Sequence, residues 1–190
     1  MNPKSLRCTF ARLAFACAIL LSGFSTVRAD ADVSPTPART ISPTPVVVSA
    51  NGFVIRREVF VRAESQAIWT ALIDQIGAWW KSEHTFSGDS KNLSIDARPG
   101  GCFCERLPNG GGVEHLRVVQ IKPGELLRFS GALGPLQTAG LAGSLTWKLS
   151  RADGATKIEL SYVVGGFMEG GFEKIAPAVD SVLNEQLLRL

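Results

Sequence analysis

Between Leu93 and Val164 the chain is broken into short β-prone segments, each closed by residues that reverse the backbone. The breaks are Pro99-Gly100-Gly101, Pro108-Asn109-Gly110-Gly111-Gly112, Lys122-Pro123-Gly124 and Ala152-Asp153-Gly154. Proline presets φ in such turns, and glycine or asparagine accepts the left-handed backbone that a tight reversal needs. They delimit Leu93–Ala97, Cys102–Leu107, Val113–Ile121, Glu125–Gly131, Ser144–Ser150 and Thr156–Val164. Strands this close in sequence leave no room for the crossovers of parallel pairing, so an antiparallel meander is expected. Alternation marks Leu145, Trp147 and Leu149, and Ile158, Leu160 and Tyr162, as inward sets.

The meander is bracketed by other patterns. Phe53–Val61, rich in β-branched and aromatic residues, reads as an opening strand. In Ser65–Ile73 the residues Ile68, Trp69, Leu72 and Ile73 recur at helical spacing, and Ile76, Trp79 and Trp80 extend the apolar face, giving one or two short helices interrupted near Gly77. At the C-terminus Phe172, Ile175, Val179, Val182, Leu183, Leu187 and Leu190 form one stripe of a long amphipathic helix. Pro177 lies inside that pattern, which predicts either a kink or a helix that begins near it. Strand, short helices, meander and closing helix is an α+β order, and one apolar stripe must bury itself against a bent sheet. A single helix cannot fill such a sheet, so a cavity between the two is expected.

The first 29 residues read as a secretory leader: Lys4, Arg7 and Arg12, an apolar run from Leu13 to Phe24, then Val27-Arg28-Ala29 as a small-x-small cleavage pattern. The run is shorter than the ~20 residues of a permanent span, so no stable membrane span is expected in the mature chain. The whole chain has 20 Lys+Arg against 17 Asp+Glu; without Lys4, Arg7, Arg12 and Arg28 there remain 16 against 17. The basic surplus therefore belongs to the leader, and no nucleic-acid partner is expected. Residues 30–50, with SPTP twice, read as a proline-rich spacer, and 51–190 as one domain. Export to the periplasm is the expected localisation.

The opening strand, the helix Ile68-Trp69-Thr70-Ala71-Leu72, the Trp79-Trp80 pair, the strand start Gly100-Gly101-Cys102-Phe103-Cys104-Glu105 and the terminal helix together resemble the START/Bet v 1-like (SRPBCC) superfamily, and within it the activator-of-Hsp90-ATPase-like or polyketide cyclase-like group. The resemblance covers Phe53 to the C-terminus. It implies a helix-grip fold: a curved seven-stranded antiparallel sheet around a C-terminal helix, with a hydrophobic ligand cavity between them. Members include carriers, lipid-transfer modules, cyclases and co-chaperone-like domains, so the fold alone does not assign a function.

The candidate chemistry is sparse. Cys102 and Cys104, two apart on a strand, share one face with Cα atoms about 6.5 Å apart. A disulfide between them requires the strand to buckle, so the pair reads as two reduced, buried small residues, with a bridge as the alternative in an oxidising compartment. Those cysteines with His84 and His115 are zinc-ligand types, but their spacing matches no recognised motif and no metal is expected. Phe103 and Glu105 lie on the opposite face. If that face looks inward, Glu105 among Phe103, Phe129, Trp147 and Tyr162 is expected to have a raised pKa and to serve as a base or ligand anchor; if outward, it is a solvated strand residue. His84 follows the short helices, where the resemblance implies a segment bordering the pocket mouth, and it either touches ligand or ties down a loop with Thr85. Trp79 and Trp80, about 100° apart on a helix, cannot both face the core, so one is expected to pack and the other to meet ligand. Gly131–Gly143 reads as a mobile flap offering Leu133, Leu136 and Leu141, or else as a loop that plugs the core.

The function expected from these residues is binding of a small hydrophobic or lipid-like molecule between sheet and terminal helix, by Trp79, Trp80, His84, Phe103, Glu105, Phe129, Trp147 and Tyr162, with no cofactor. Two alternatives stand beside it: a cyclase- or hydrolase-like enzyme using Glu105, His84 or His115 as acid–base groups, and a chaperone-like interaction domain. Few ionisable residues converge, which weighs against the enzyme.

Overall fold

The computed structural model describes residues 44–190. The leader and most of the proline-rich spacer lie outside the described residues. Eight strands form one antiparallel sheet: β1 (Val47–Ser49), β2 (Gly52–Val61), β3 (Leu93–Ile95), β4 (Cys102–Arg106), β5 (Gly112–Lys122), β6 (Leu126–Ser130), β7 (Ala142–Ala152) and β8 (Ala155–Gly165), in the order β1-β2-β8-β7-β6-β5-β4-β3. The meander predicted from the turn clusters thus runs unbroken from β3 to β8, and the opening strand β2 joins it beside β8. The eighth strand was not expected: Val47–Ser49, read as spacer, turns at Ala50-Asn51 and pairs with Gly52–Val54. Three consecutive β-prone residues, Val46 to Val48, outweigh the prolines that precede them.

Between β2 and β3 lie α1 (Ser65–Asp74) and α2 (Ile76–Trp79), and the chain closes with α3 (Ile175–Arg189). The break between the first two falls at Gln75 (φ −119°, ψ 27°) rather than Gly77, which sits inside α2. A Cβ on Gly77 would lie 3.0 Å from the Ser90 carbonyl, so this glycine serves close packing and not helix termination. Pro177 stands third in α3, within the first turn, where its missing N–H costs no intrahelical bond. The sheet wraps around α3. An ion pair from Arg57 Nη2 on β2 to Asp180 Oδ2, 2.5 Å long, fixes the helix against the sheet.

The inward sets are buried as alternation predicted. Leu145, Trp147, Leu149, Ile158, Leu160 and Tyr162 are all at most 3% exposed, and Trp147 meets Trp79 edge-on at 5.7 Å between centroids. Both tryptophans of the pair are buried, contrary to expectation: α2 ends at Trp79, and Trp80 has an extended backbone (φ −72°, ψ 135°), so the helical 100° offset does not apply. Each indole N–H is satisfied, Trp79 donating to the Ala71 carbonyl and Trp80 to that of His84. No helix among the described residues is long and apolar enough to cross a membrane.

Candidate functional site

The site begins with an irregularity in the β4–β5 ladder. Phe103 pairs with Leu116, yet Cys104 pairs with Glu114, so His115 is passed over. Such a bulge breaks the two-residue alternation. Strict alternation along β5 would send His115 outward beside Arg117. The bulge instead leaves His115 and Leu116 buried in succession. On the facing strand Phe103 and Glu105 point inward, 2% exposed each, which settles the face of Glu105.

The Glu105 carboxylate is met by three donors: the backbone N–H of Phe86 (3.1 Å), that of Ser87 (2.5 Å), and His115 Nε2 (2.9 Å). Burial acts to raise its pKa, but the hydrogen bonds from Ser87, Phe86 and His115 outweigh it and hold the carboxyl below its ordinary value. The raised pKa expected for an inward Glu105 is thereby overturned. A carboxylate with hydrogen-bonded donors at both oxygens is stabilised in its charged form. Its effect is to hold the Phe86-Ser87 backbone over the sheet. Burial also depresses the pKa of His115, only partly opposed by Glu105, so the imidazole is neutral at pH 7. Its ring lies between Phe103, at 4.8 Å, and Phe86, at 5.8 Å.

Behind this pair the space between sheet and helix is filled. Phe129, Trp147 and Tyr162 are at most 2% exposed, and Leu136 and Phe172 are wholly buried. The Tyr162 hydroxyl accepts from the Leu133 N–H and donates to the Gly131 carbonyl, and burial pushes its pKa up to about 12. Open room lies nearer the surface, as a cleft of about 310 Å³ between α3, the segment around the 3₁₀ turn Ser82–His84, and the 3₁₀ turn Gly134–Leu136. One wall is an α3 stripe of Ile175, Ala178, Val179, Val182 and Leu183; Trp80, Phe86, Leu133 and Pro135 face it, and His115 lies among them. Its volume is at the low end for small-molecule sites.

The mouth is held by polar ties. His84 Nε2 contacts Glu185 Oε2 on α3 at 3.2 Å, and Lys81 Nζ bridges Glu83 and Glu185. The Lys81 N–H donates to Gln186 Oε1, Arg189 Nε to the Trp79 carbonyl, and the Thr85 hydroxyl to the Ser82 carbonyl. Of the residues singled out in the sequence, Trp80 and His84 line the cleft. Glu105 stands behind it, touching two residues of the lining, whereas Trp79, Phe103, Phe129, Trp147 and Tyr162 are core residues that do not line it. Of the flap, Leu133, Gly134 and Pro135 reach the cleft, whereas Ala132, Leu136 and Leu141 are buried and plug the core. The reading missed Phe86, Pro135 and the α3 stripe as lining; the 3.6-residue periodicity of the terminal helix was the signal for the last.

The cysteines are bonded, which overturns the expectation of reduced, buried thiols. Cys102 and Cys104 form a disulfide with Cα atoms 5.4 Å apart, half-buried on the outer face of β4. The buckling that a bridge requires is present, since 5.4 Å between the two Cα atoms is well short of the roughly 6.5 Å of an extended strand.

No family model matches the chain, and no curated protein matches it. Solved structures do. The protein MLL2253 from Mesorhizobium loti is 15% identical, with a TM-score of 0.53 over 72% of this chain and 92% of that one. EF2215 from Enterococcus faecalis, a conserved protein of unknown function, is 16% identical, with a TM-score of 0.51 over 75% of this chain and 73% of that one. CalU16 from Micromonospora echinospora is 16% identical, with a TM-score of 0.50 over 78% and 80%. DynU16, from the dynemicin biosynthetic locus, is 19% identical at the same TM-score, and this chain spans 45% of its length. At these identities the likeness concerns architecture alone, and it agrees with the fold itself, an antiparallel sheet wrapped around α3 with short helices after the first long strand, a helix-grip-like arrangement.

Proposed function

We propose that this chain is an exported binding protein that holds a small hydrophobic or lipid-like molecule in the cleft between α3 and the Trp80–Phe86 and Leu133–Pro135 segments. One observation carries the reading: the stripe Ile175, Ala178, Val179, Val182 and Leu183 faces an open space of about 310 Å³ instead of packed side chains. Covering apolar surface is favourable by about 25 cal/mol per Å², so an apolar guest of matching size gains by entering. The polar ties at the mouth fix the loop against α3, which lowers the cost of organising the site on binding. An acid–base role is less well supported, because Glu105 is committed to three donors and its charged form is stabilised.

Native mass spectrometry of protein isolated from a periplasmic extract tests the proposal, together with titration of the emptied protein with 2-methylnaphthalene. A stoichiometric apolar adduct and saturable probe binding are expected, both lost in Val182→Trp, whose indole fills the cleft. Saturable binding that Val182→Trp leaves unchanged sinks this placement, and absence of both adduct and probe binding sinks the function.

A further inference from the structure

Apart from Glu83, His84 and Thr85 on the loop, the cleft lining is apolar but for one group set into its wall. His115 is 5% exposed, yet its ring lines the cleft. The other ionisable lining residues stand at the mouth and are engaged there: His84 with Glu185, and Glu83 with Lys81. Phe86 and Phe103 flank the His115 ring, which leaves its edges for polar contact.

The tautomer follows from the partner. An ionised carboxylate only accepts hydrogen bonds, so the nitrogen that meets Glu105 Oε2 at 2.9 Å carries a proton. Because the imidazole is neutral, its other nitrogen, Nδ1, carries none and is an acceptor. Nδ1 has no hydrogen-bond partner among the described residues, and it is not among their buried unpartnered atoms either, so it reaches open space. The cleft is the open space that the ring lines.

We infer that the bound molecule is an apolar skeleton bearing a hydrogen-bond donor, a phenol or another hydroxylated ring or chain, whose O–H is received by His115 Nδ1. The inference rests on the cleft being the binding site. Glu105 acts here as a positioning residue: by taking the Nε2 proton it presents the acceptor nitrogen to the cleft. A purely hydrocarbon guest would bury Nδ1 without a partner, and that penalty is the source of discrimination.

The test compares two probes of nearly equal size, 2-naphthol and 2-methylnaphthalene, on the wild type and on His115→Phe, which keeps a ring between Phe86 and Phe103. The wild type is expected to bind the naphthol about threefold to tenfold more tightly, the yield of one neutral hydrogen bond, and the variant to lose that preference. In the wild type, the ¹⁵N resonance of the unprotonated His115 nitrogen is expected to shift with the naphthol and not with the methyl compound; this readout decides the matter if the variant fails to fold. Equal affinities, or a naphthol preference that survives in a folded His115→Phe, overturn donor recognition and leave apolar binding intact. Failure of both probes to bind overturns both readings.

Discussion

His115 Nε2 and Glu105 Oε2 lie 2.9 Å apart, joined across two strands at the point where the ladder passes over His115. The pair ties the bulge to the Phe86-Ser87 backbone, so one side of the cleft depends on it. Replacing Glu105 by Gln removes the charge and one acceptor. Hydrogen bonds to charged groups contribute about 1.5–3 kcal/mol, and a loss of that order is expected at pH 7 by urea denaturation. A change under 0.5 kcal/mol would show that the carboxylate is not what holds this segment.

Acidification should act through the same pair, in one direction. Both folded pKa values lie below the ordinary ones, 6.5 for the histidine and 4.5 for the carboxyl. The unfolded chain therefore binds protons first, and the stability each group contributes is complete above its unfolded pKa and lost as pH falls through its folded one. The loss begins below pH 6.5 with His115 and continues below 4.5 with Glu105. Tm measured against pH should fall less steeply between about 6.5 and 5 in His115→Phe than in the wild type. Parallel curves would mean that His115 protonates equally in both states.

The Cys102–Cys104 bridge encloses a single residue, the shortest loop but one that a disulfide can close. On the chain-entropy account the constraint grows with loop length, and so short a loop yields only about 1–2 kcal/mol. The Cys102→Ala/Cys104→Ala variant should therefore fold, with Tm lower by a few degrees. A loss of more than about 10 °C would show that the bridge also holds the bulge in place.

Gly100 and Gly101 are needed for different reasons. Gly100 has φ +85° and open space around its Cα; a Cβ on Gly101 would stand 2.2 Å from the Asp96 carbonyl oxygen. Gly100→Ala should cost about 1–2 kcal/mol, the penalty of the left-handed region. Gly101→Ala should cost more, since backbone must move. Circular-dichroism melts of the two variants give the order, and the reverse order would refute the close-approach explanation.

The Arg57–Asp180 pair is largely shielded from solvent, with side chains 9% and 18% exposed. Asp180→Ala leaves a guanidinium that still donates to the Thr44 and Arg56 carbonyls but has lost its counter-charge. A cost of about 2–3 kcal/mol is expected, somewhat below that of breaking a fully buried pair. Asp180→Ala/Arg57→Met should recover part of it; no recovery in that double variant would place the cost in helix packing instead.

Much of the architecture was legible in the sequence because it rests on local chemistry. Turn residues fix where the chain reverses, alternation fixes which strand face is apolar, and a 3.6-residue stripe makes a helix wherever it lies. Hence the β3–β8 meander, the inward sets on β7 and β8, and α3 beginning near Pro177 follow from neighbours in the chain. The contents of the space between sheet and helix depend instead on distant volumes meeting. Trp147, Tyr162, Phe129 and Leu136 fill the deep interior, and the α3 stripe divides between Leu187, buried in the core, and Val179 and Val182, facing the cleft, with Leu183 buried at the boundary and lining the cleft floor. The inward turn of His115 was equally invisible, since a bulge is a mismatch between two strands and neither strand records it alone. Sequence determined which surfaces are apolar; only tertiary packing decided which of them found partners, because burial is a property of pairs separated by many residues.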